Sequence, residues 1–302
     1  MNKTIMNRTV VAIPPSYKLN EELEIGSTIK YLKYLKKNNV NTVMTTEGTS
    51  NFNLMSNEEI HTFNKTIVKH FNGHKIIGVP SLSLRDAKKF IMTANNYADS
   101  KTNLMVLFPD RFYNKNCIYR YISNLREVAN RDLYVHSKPL RNAVGGVWDY
   151  TSDLLNQLKK NRVILGIKEE HSDLIKSYDF ICELDKDLDV IVAGGSMRRY
   201  EFLKSAGANS FLSGVGNLFP KVEQSYIDGN RELPLEIEKM MFKVFMKFGW
   251  HKSLRIALRN MKLTCLSDRR PWPLTTFEEK NKIIEVIERI KNEQQNLDSW
   301  AV

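Results

Sequence analysis

Short apolar runs recur along the chain, separated by about 20 to 35 residues of helical pattern, and several stop at proline or glycine. Residues 9–13 (TVVAI) end at Pro14-Pro15, residues 75–79 (KIIGV) at Pro80, and residues 104–108 (LMVLF) at Pro109. Runs of the same kind occupy 41–45, 132–136, 163–167, 189–193 and 210–213. All have strand length and β-branched or aromatic content. Between them apolar positions recur at helical spacing, as in residues 22–38, where Leu23, Ile25, Ile29, Leu32 and Leu35 share a face. Ser56 followed by Glu59 forms a capping-box pattern that predicts a helix running to about residue 70. Further helices are predicted over 84–98, 118–129, 151–160, 173–184 and 200–205.

Eight strands alternating with helices predict an α/β protein, a (β/α)8 TIM barrel. A doubly wound sheet is the competing arrangement. The first turn, PPSYKLN, lacks the glycine fingerprint usual there. Beyond residue 220 no strand pattern is found, and helices are predicted over 221–247, 251–264 and 276–296. Residues 1–225 are therefore expected to form the barrel. Residues 226–302 are expected to form a C-terminal helical extension packed on it, the whole being a single unit.

Composition narrows the classes. The chain has 302 residues, 42% of them hydrophobic, enough for a large core. No run of about 18 apolar residues predicts a membrane span, and the N-terminus lacks a secretory pattern. Cys117, Cys182 and Cys265 are far apart, which predicts neither disulfides nor a zinc site and fits a reducing cytoplasm. The net charge of +11 is spread along the chain and mixed with acids, so neither a nucleic-acid partner nor a membrane is expected. His171 beside Glu169 and Glu170 is read as a solvated loop rather than a metal site, and no cofactor is expected.

In a barrel of this type chemistry sits at the C-terminal ends of the strands. Those ends carry Glu47-Gly48-Thr49-Ser50, His136 with Arg141 shortly after, Lys168, Gly194-Gly195-Ser196, and Gly214 with Asn217. Lys168 closes an apolar run. Either it emerges into water there, or its amine is held in an apolar pocket with a lowered pKa, ready to attack a carbonyl. Gly166, two residues earlier and on the same side, would leave room for the lysine stem. Arg141 suits a carboxylate, as does the Gly-Thr-Ser turn, and His136 can move protons near neutral pH. Each also has a plainer reading: Arg141 as a surface ion-pair partner, Thr49 and Ser50 as a turn and cap, His136 as a hydrogen-bonded core residue. A lysine that forms imines, with groups suited to a carboxylate, points to a small 2-oxo acid.

Several motifs, in order, resemble the dihydrodipicolinate synthase and N-acetylneuraminate lyase family of pyruvate-dependent class I aldolases. AIPPSY at 12–17 resembles its N-terminal strand, and Gly48-Thr49-Ser50 followed by Ser56-Asn57-Glu58-Glu59 its GTTGE turn and helix start. Gly166-Ile167-Lys168-Glu169 matches its G-x-K-E Schiff-base segment, and residues 207–220 its last strand and turn. The resemblance spans roughly residues 9–300. It implies Lys168 as the Schiff-base lysine, Thr49 and Ser50 on the pyruvate carboxylate, the Leu212 backbone at the same pocket, Arg141 at the second substrate or the entrance, and a homo-oligomer, dimer or tetramer.

The departures are specific. The family tyrosine three residues before the fifth-strand proline is replaced by His136 in HSKP, and the two tyrosine positions after Pro109 hold Asp110 and Arg111, with Tyr113 beyond. A true dihydrodipicolinate synthase is therefore not expected. The expectation is a Schiff-base-forming lyase for pyruvate or a related 2-oxo acid, with His136 as proton shuttle. Arg111, Lys138, Arg141, Arg198 and Arg199 near the mouth suggest an anionic or polyhydroxy acid partner, an aldehyde. The alternative is a barrel that binds a 2-oxo acid as a sensor or assembly component without turnover.

Overall fold

Pairing the apolar runs side by side satisfies their backbone groups without leaving an edge, and the computed structural model shows that solution. It describes residues 9–80, 82–107, 115–137, 150–264 and 267–299. Eight parallel strands close a barrel in sequence order: β1 (Thr9–Ala12), β2 (Thr42–Thr45), β3 (His74–Val79), β4 (Thr102–Val106), β5 (Leu133–His136), β6 (Gly166–Glu169), β7 (Asp189–Val192) and β8 (Ser210–Leu212), which returns to β1. Around it run α1 (Ile25–Lys37), α2 (Asn57–His70), α3 (Leu84–Asn95), α4 (Lys115–Val128), α5 (Ser152–Lys160), α6 (Leu174–Cys182), α7 (Ser196–Leu203) and α8 (Pro220–Ile227). Three more helices follow: α9 (Glu232–Phe248), α10 (Trp250–Asn260) and α11 (Phe277–Ser299). The predicted TIM barrel with C-terminal helices is the fold found.

Strand alternation divides the core in two. Outward residues such as Val43, Ile77, Val135, Ile167 and Phe211 pack under the helices. Inward residues Val10, Met44, Ile76, Met105, Leu107, Tyr134 and Ile191 fill the barrel. The capping box predicted for α2 is present: the Ser56 hydroxyl accepts from the Glu59 amide, and the Glu59 carboxylate accepts from the Ser56 amide. Two local expectations fail. The helix predicted over 221–247 is two helices, interrupted where Gly229 takes φ +110, a conformation open to glycine at little cost. The sixth strand begins only at Gly166, so Lys168 lies inside it rather than beyond its end. Val163 and Leu165 form the approach: Val163 N–H donates to the Leu158 carbonyl and Leu165 N–H to the Leu133 carbonyl.

The strand glycine Gly166 serves another purpose than expected. A methyl there would overlap the Asp189 carbonyl oxygen and come within 2.7 Å of the Tyr134 ring. It makes room for Tyr134 and the β7 backbone, not for the lysine stem. Tyr134 points to the barrel floor, its hydroxyl donating to Asp189 Oδ2 at 2.6 Å. That direction removes it as a substitute for a mouth tyrosine.

Candidate active site

The register of β5 on β6 sets His136 beside Lys168. Neighbours in a parallel pair point the same way, and both side chains enter a cavity of about 340 Å³ at the C-terminal end of the barrel. Glu47, Gly48, Thr49, Glu170, Gly194 to Ser196 and Leu212 to Gly214 also line it. Its remaining wall comes from the C-terminal helices: Phe242 and Met246 of α9, Trp250 and His251 of α10.

Lys168 is 2% exposed. Its Nζ lies 3.0 Å from Glu47 Oε2 and 3.1 Å from Glu170 Oε2. Burial by itself would lower the pKa of this amine, but the two carboxylates outweigh it and hold the ammonium above its ordinary value. This corrects the expectation of an amine with a lowered pKa in an apolar pocket: at rest Lys168 is charged and doubly ion-paired. Burial would raise Glu47 and Glu170, but Lys168 together with His136 outweighs it and holds both below the ordinary carboxylate value.

Beside the lysine, His136 Nε2 is 3.0 Å from Glu170 Oε2. Burial and the neighbouring ammonium push the imidazole below its usual pKa despite that carboxylate. It is therefore neutral at neutral pH, with Nε2–H donating to Glu170. Its Nδ1 is buried without a hydrogen-bond partner among the described residues. His251, above Gly48, is likewise held below the usual value, chiefly by burial.

Glu47 is placed by a strained turn. Thr46 takes φ +55, an uncommon and costly conformation for a β-branched residue. Its hydroxyl donates to Asn64 Oδ1 at 2.9 Å, as does that of Thr45. Gly78 supplies the space: a methyl there would overlap the Thr46 carbonyl oxygen. Glu47 then turns inward, its Oε1 accepting from the Thr49 amide at 3.0 Å while Oε2 accepts from Lys168. Gly78→Ala is expected to destabilise the fold by about 1–3 kcal/mol or more through overpacking of this turn. Urea denaturation measures it, and a variant as stable as wild type would contradict the turn as described.

The sequence-predicted residues meet only in part. Lys168, His136, Thr49 and Leu212 share the cavity. Ser50 does not line it; its hydroxyl donates to the Ile13 carbonyl at 2.8 Å. Arg141, Lys138 and Arg111 lie outside the described residues, as do Asp110 and Tyr113. Neither Arg198 nor Arg199 lines the cavity: Arg199 binds Glu169 at 2.9 Å and the His171 carbonyl at 2.8 Å, and Arg198 lies over the Phe242 ring of the cavity wall. His171 lies in the loop after β6, partly exposed, with its ring 2.7 Å from Glu169 and edge-on to Phe180. Among the described residues no group of three or more His, Cys, Asp or Glu is placed to hold a metal ion, and no helix is long and apolar enough to cross a membrane.

Sequence reasoning assigned no role to Glu47, Glu170, His251 or the aromatic wall. The available signal was position, since both glutamates stand at strand C-terminal ends.

No family model and no curated protein matches the chain by sequence. Solved structures do match in fold. The 4-hydroxy-tetrahydrodipicolinate synthase of Methylacidiphilum fumariolicum SolV superposes with a TM-score of 0.81 at 18% identity, over 97% of this chain and 99% of that one. The dihydrodipicolinate synthase of Aquifex aeolicus gives 0.80 at 15% identity, over 95% and 98%. The N-acetylneuraminate lyase of Fusobacterium nucleatum gives 0.79 at 14% identity, over 93% and 97%. The likeness expected from the sequence motifs is thus borne out in the fold.

Proposed function

We propose that the protein is a Schiff-base-forming lyase of the class I aldolase type, with Lys168 as the amine that condenses with a carbonyl substrate. The observation that carries this reading is the buried Nζ of Lys168 facing the barrel-mouth cavity beside a Glu170–His136 proton path. The ammonium must first lose a proton. Glu170 Oε2 touches both Nζ and His136 Nε2, so it is the acceptor at hand. The amine lone pair then adds to the carbonyl carbon, the oxygen leaves as water, and an iminium remains. That cation draws electrons from a bond one carbon away, which lets a carbon–carbon bond break or form. His136, whose Nε2 exchanges its proton with Glu170 Oε2, serves as the proton shuttle for the carbon fragment, in the place the sequence motifs give to tyrosine. A homo-oligomer, dimer or tetramer, belongs to the same reading and rests on the motif resemblance alone.

A second reading has its own support. Lys168 rests between two carboxylates that keep it protonated, which suits a barrel that binds a carbonyl compound without turning it over. Borohydride trapping with a panel of small aldehydes and ketones, pyruvate included, tests both. A reduced adduct mapped to Lys168 and lost in Lys168→Arg is expected. An adduct with no turnover of any panel compound favours the binding protein. A folded protein that gives no adduct at Lys168 overturns the lyase.

A further inference from the structure

We infer that Glu47 sets the substrate class of this site: it excludes a carboxylate next to the carbonyl, so the ligand is a small uncharged or amino-bearing aldehyde or ketone rather than a 2-oxo acid. The inference rests on the imine reading of Lys168 and deepens it.

A carbonyl carbon bonded to Lys168 Nζ holds its substituents within a few ångströms of that nitrogen. A carboxylate there would need the ammonium and nearby N–H groups as donors. Glu47 already has them, with Oε2 3.0 Å from Nζ and Oε1 3.0 Å from the Thr49 amide. The protein's own carboxylate makes the contacts that a 2-oxo acid would make. Its position is built in: the Thr46 backbone is turned to φ +55, held by Asn64, with Gly78 cleared to admit it. Glu47 is 2% exposed, so solvent offers it no other partner.

Charge points the same way. Among the described residues lining the cavity, Glu47 and Glu170 face a single cation, Lys168. These described groups together carry an excess negative charge, since burial keeps His136 and His251 neutral. Forming the iminium leaves that balance unchanged, because Lys–NH3⁺ plus a carbonyl gives Lys–NH⁺=C plus water. An incoming carboxylate would meet like charge in a desolvated cavity, a juxtaposition strongly unfavourable for binding. The remaining wall of Phe242, Met246 and Trp250 offers apolar and aromatic surface, suited to an uncharged or ammonium-bearing ligand.

Hydroxyacetone and pyruvate make a matched pair, the same methyl ketone with an alcohol or a carboxylate beside the carbonyl. Each is trapped with borohydride on wild type, Glu47→Gln and Glu47→Asp, normalised to trapping by free Nα-acetyl-lysine. Wild type is expected to favour hydroxyacetone by at least about tenfold at Lys168, a ratio that like-charge repulsion supports. Glu47→Gln should shrink the ratio by about tenfold through a gain with pyruvate. Glu47→Asp, which keeps the charge but withdraws from the Thr49 amide, should shrink it less. Equal trapping of the two ketones by wild type overturns the inference and leaves the imine reading standing, as does a ratio unmoved in both variants. Folded wild type that traps neither ketone nor any other carbonyl overturns both.

Discussion

Lys168→Met is expected to abolish borohydride trapping and also to cost about 3–5 kcal/mol of stability at neutral pH, the usual penalty for removing one partner of a buried ion pair. The deficit arises because Glu47 and Glu170 remain in place, largely desolvated, with no cation between them. Its pH dependence identifies the cause. In wild type both carboxylates have depressed pKa values. Their contribution is present above the ordinary carboxylate value and is lost as pH falls toward the folded values. Without Lys168, burial and mutual repulsion raise both above the ordinary value, so the variant loses stability as pH rises through that window. The gap between the two proteins should therefore be widest near pH 7 and narrow toward pH 4.5. Denaturation at several pH values measures it, and Glu47→Gln added to Lys168→Met should recover part of the loss. A constant gap across pH would mean that lost packing, not stranded charge, is responsible.

This dual role has a consequence for the chemistry. A lysine that is both nucleophile and counter-ion cannot be released without restoring charge balance. The iminium keeps the positive charge, so both glutamates stay neutralised once the bond to substrate forms. The costly moment is the intervening neutral amine, when the proton rests on the Glu170–His136 side. A cavity lined this way favours a cationic adduct over the free amine.

The barrel was legible in the sequence because each strand is a short apolar run with a clear stop, and β1, β2, β5 and β7 fall within a residue or two of the predicted runs. Position along an apolar run was less legible. In VILGIKEE the pairing that starts β6 at Gly166 depends on β5 and β7, which local hydrophobicity does not encode. The 221–247 helix pattern hid a break because Asp228-Gly229-Asn230 interrupts the turn without breaking the apolar spacing. At the site, Lys168 and His136 were found because charged residues ending apolar runs stand out. Glu47 and Glu170 stand out no less, but the direction each takes is set from afar. Glu47 turns inward through strain at Thr46 that needs Asn64 and Gly78. The wall of Phe242, Met246, Trp250 and His251 comes from helices beyond the barrel. Side chains on an amphipathic helix read as core whether they meet a sheet or a cavity.

Glu238 on α9 links those helices to pH. It is fully buried, with Oε2 accepting the Arg198 amide at 2.9 Å and Oε1 without a hydrogen-bond partner among the described residues. Burial pushes its pKa up to about 8, helped by nearby Glu223 and only partly opposed by Arg198. The group is raised, so the folded state holds a proton that the unfolded chain has released above 4.5. Its contribution is therefore fully favourable below that value and is lost as pH rises through about 8. The slope is about 1.4 kcal/mol per pH unit, or about 5 kcal/mol at most across the window. Glu238→Gln keeps a carbonyl for the Arg198 amide and removes the ionisation. It is expected to match wild type near pH 5 and to exceed it by several kcal/mol at pH 8 to 9, read by urea denaturation. Phe242 and Met246 lie one and two turns further along α9 in the cavity wall, and Trp250 packs 4.9 Å from the Phe242 ring. Tryptophan emission should therefore titrate near pH 8 in wild type and stay flat in the variant. Parallel stability curves for the two proteins would show that Glu238 is already ionised at neutral pH and that Arg198 suffices to hold it so.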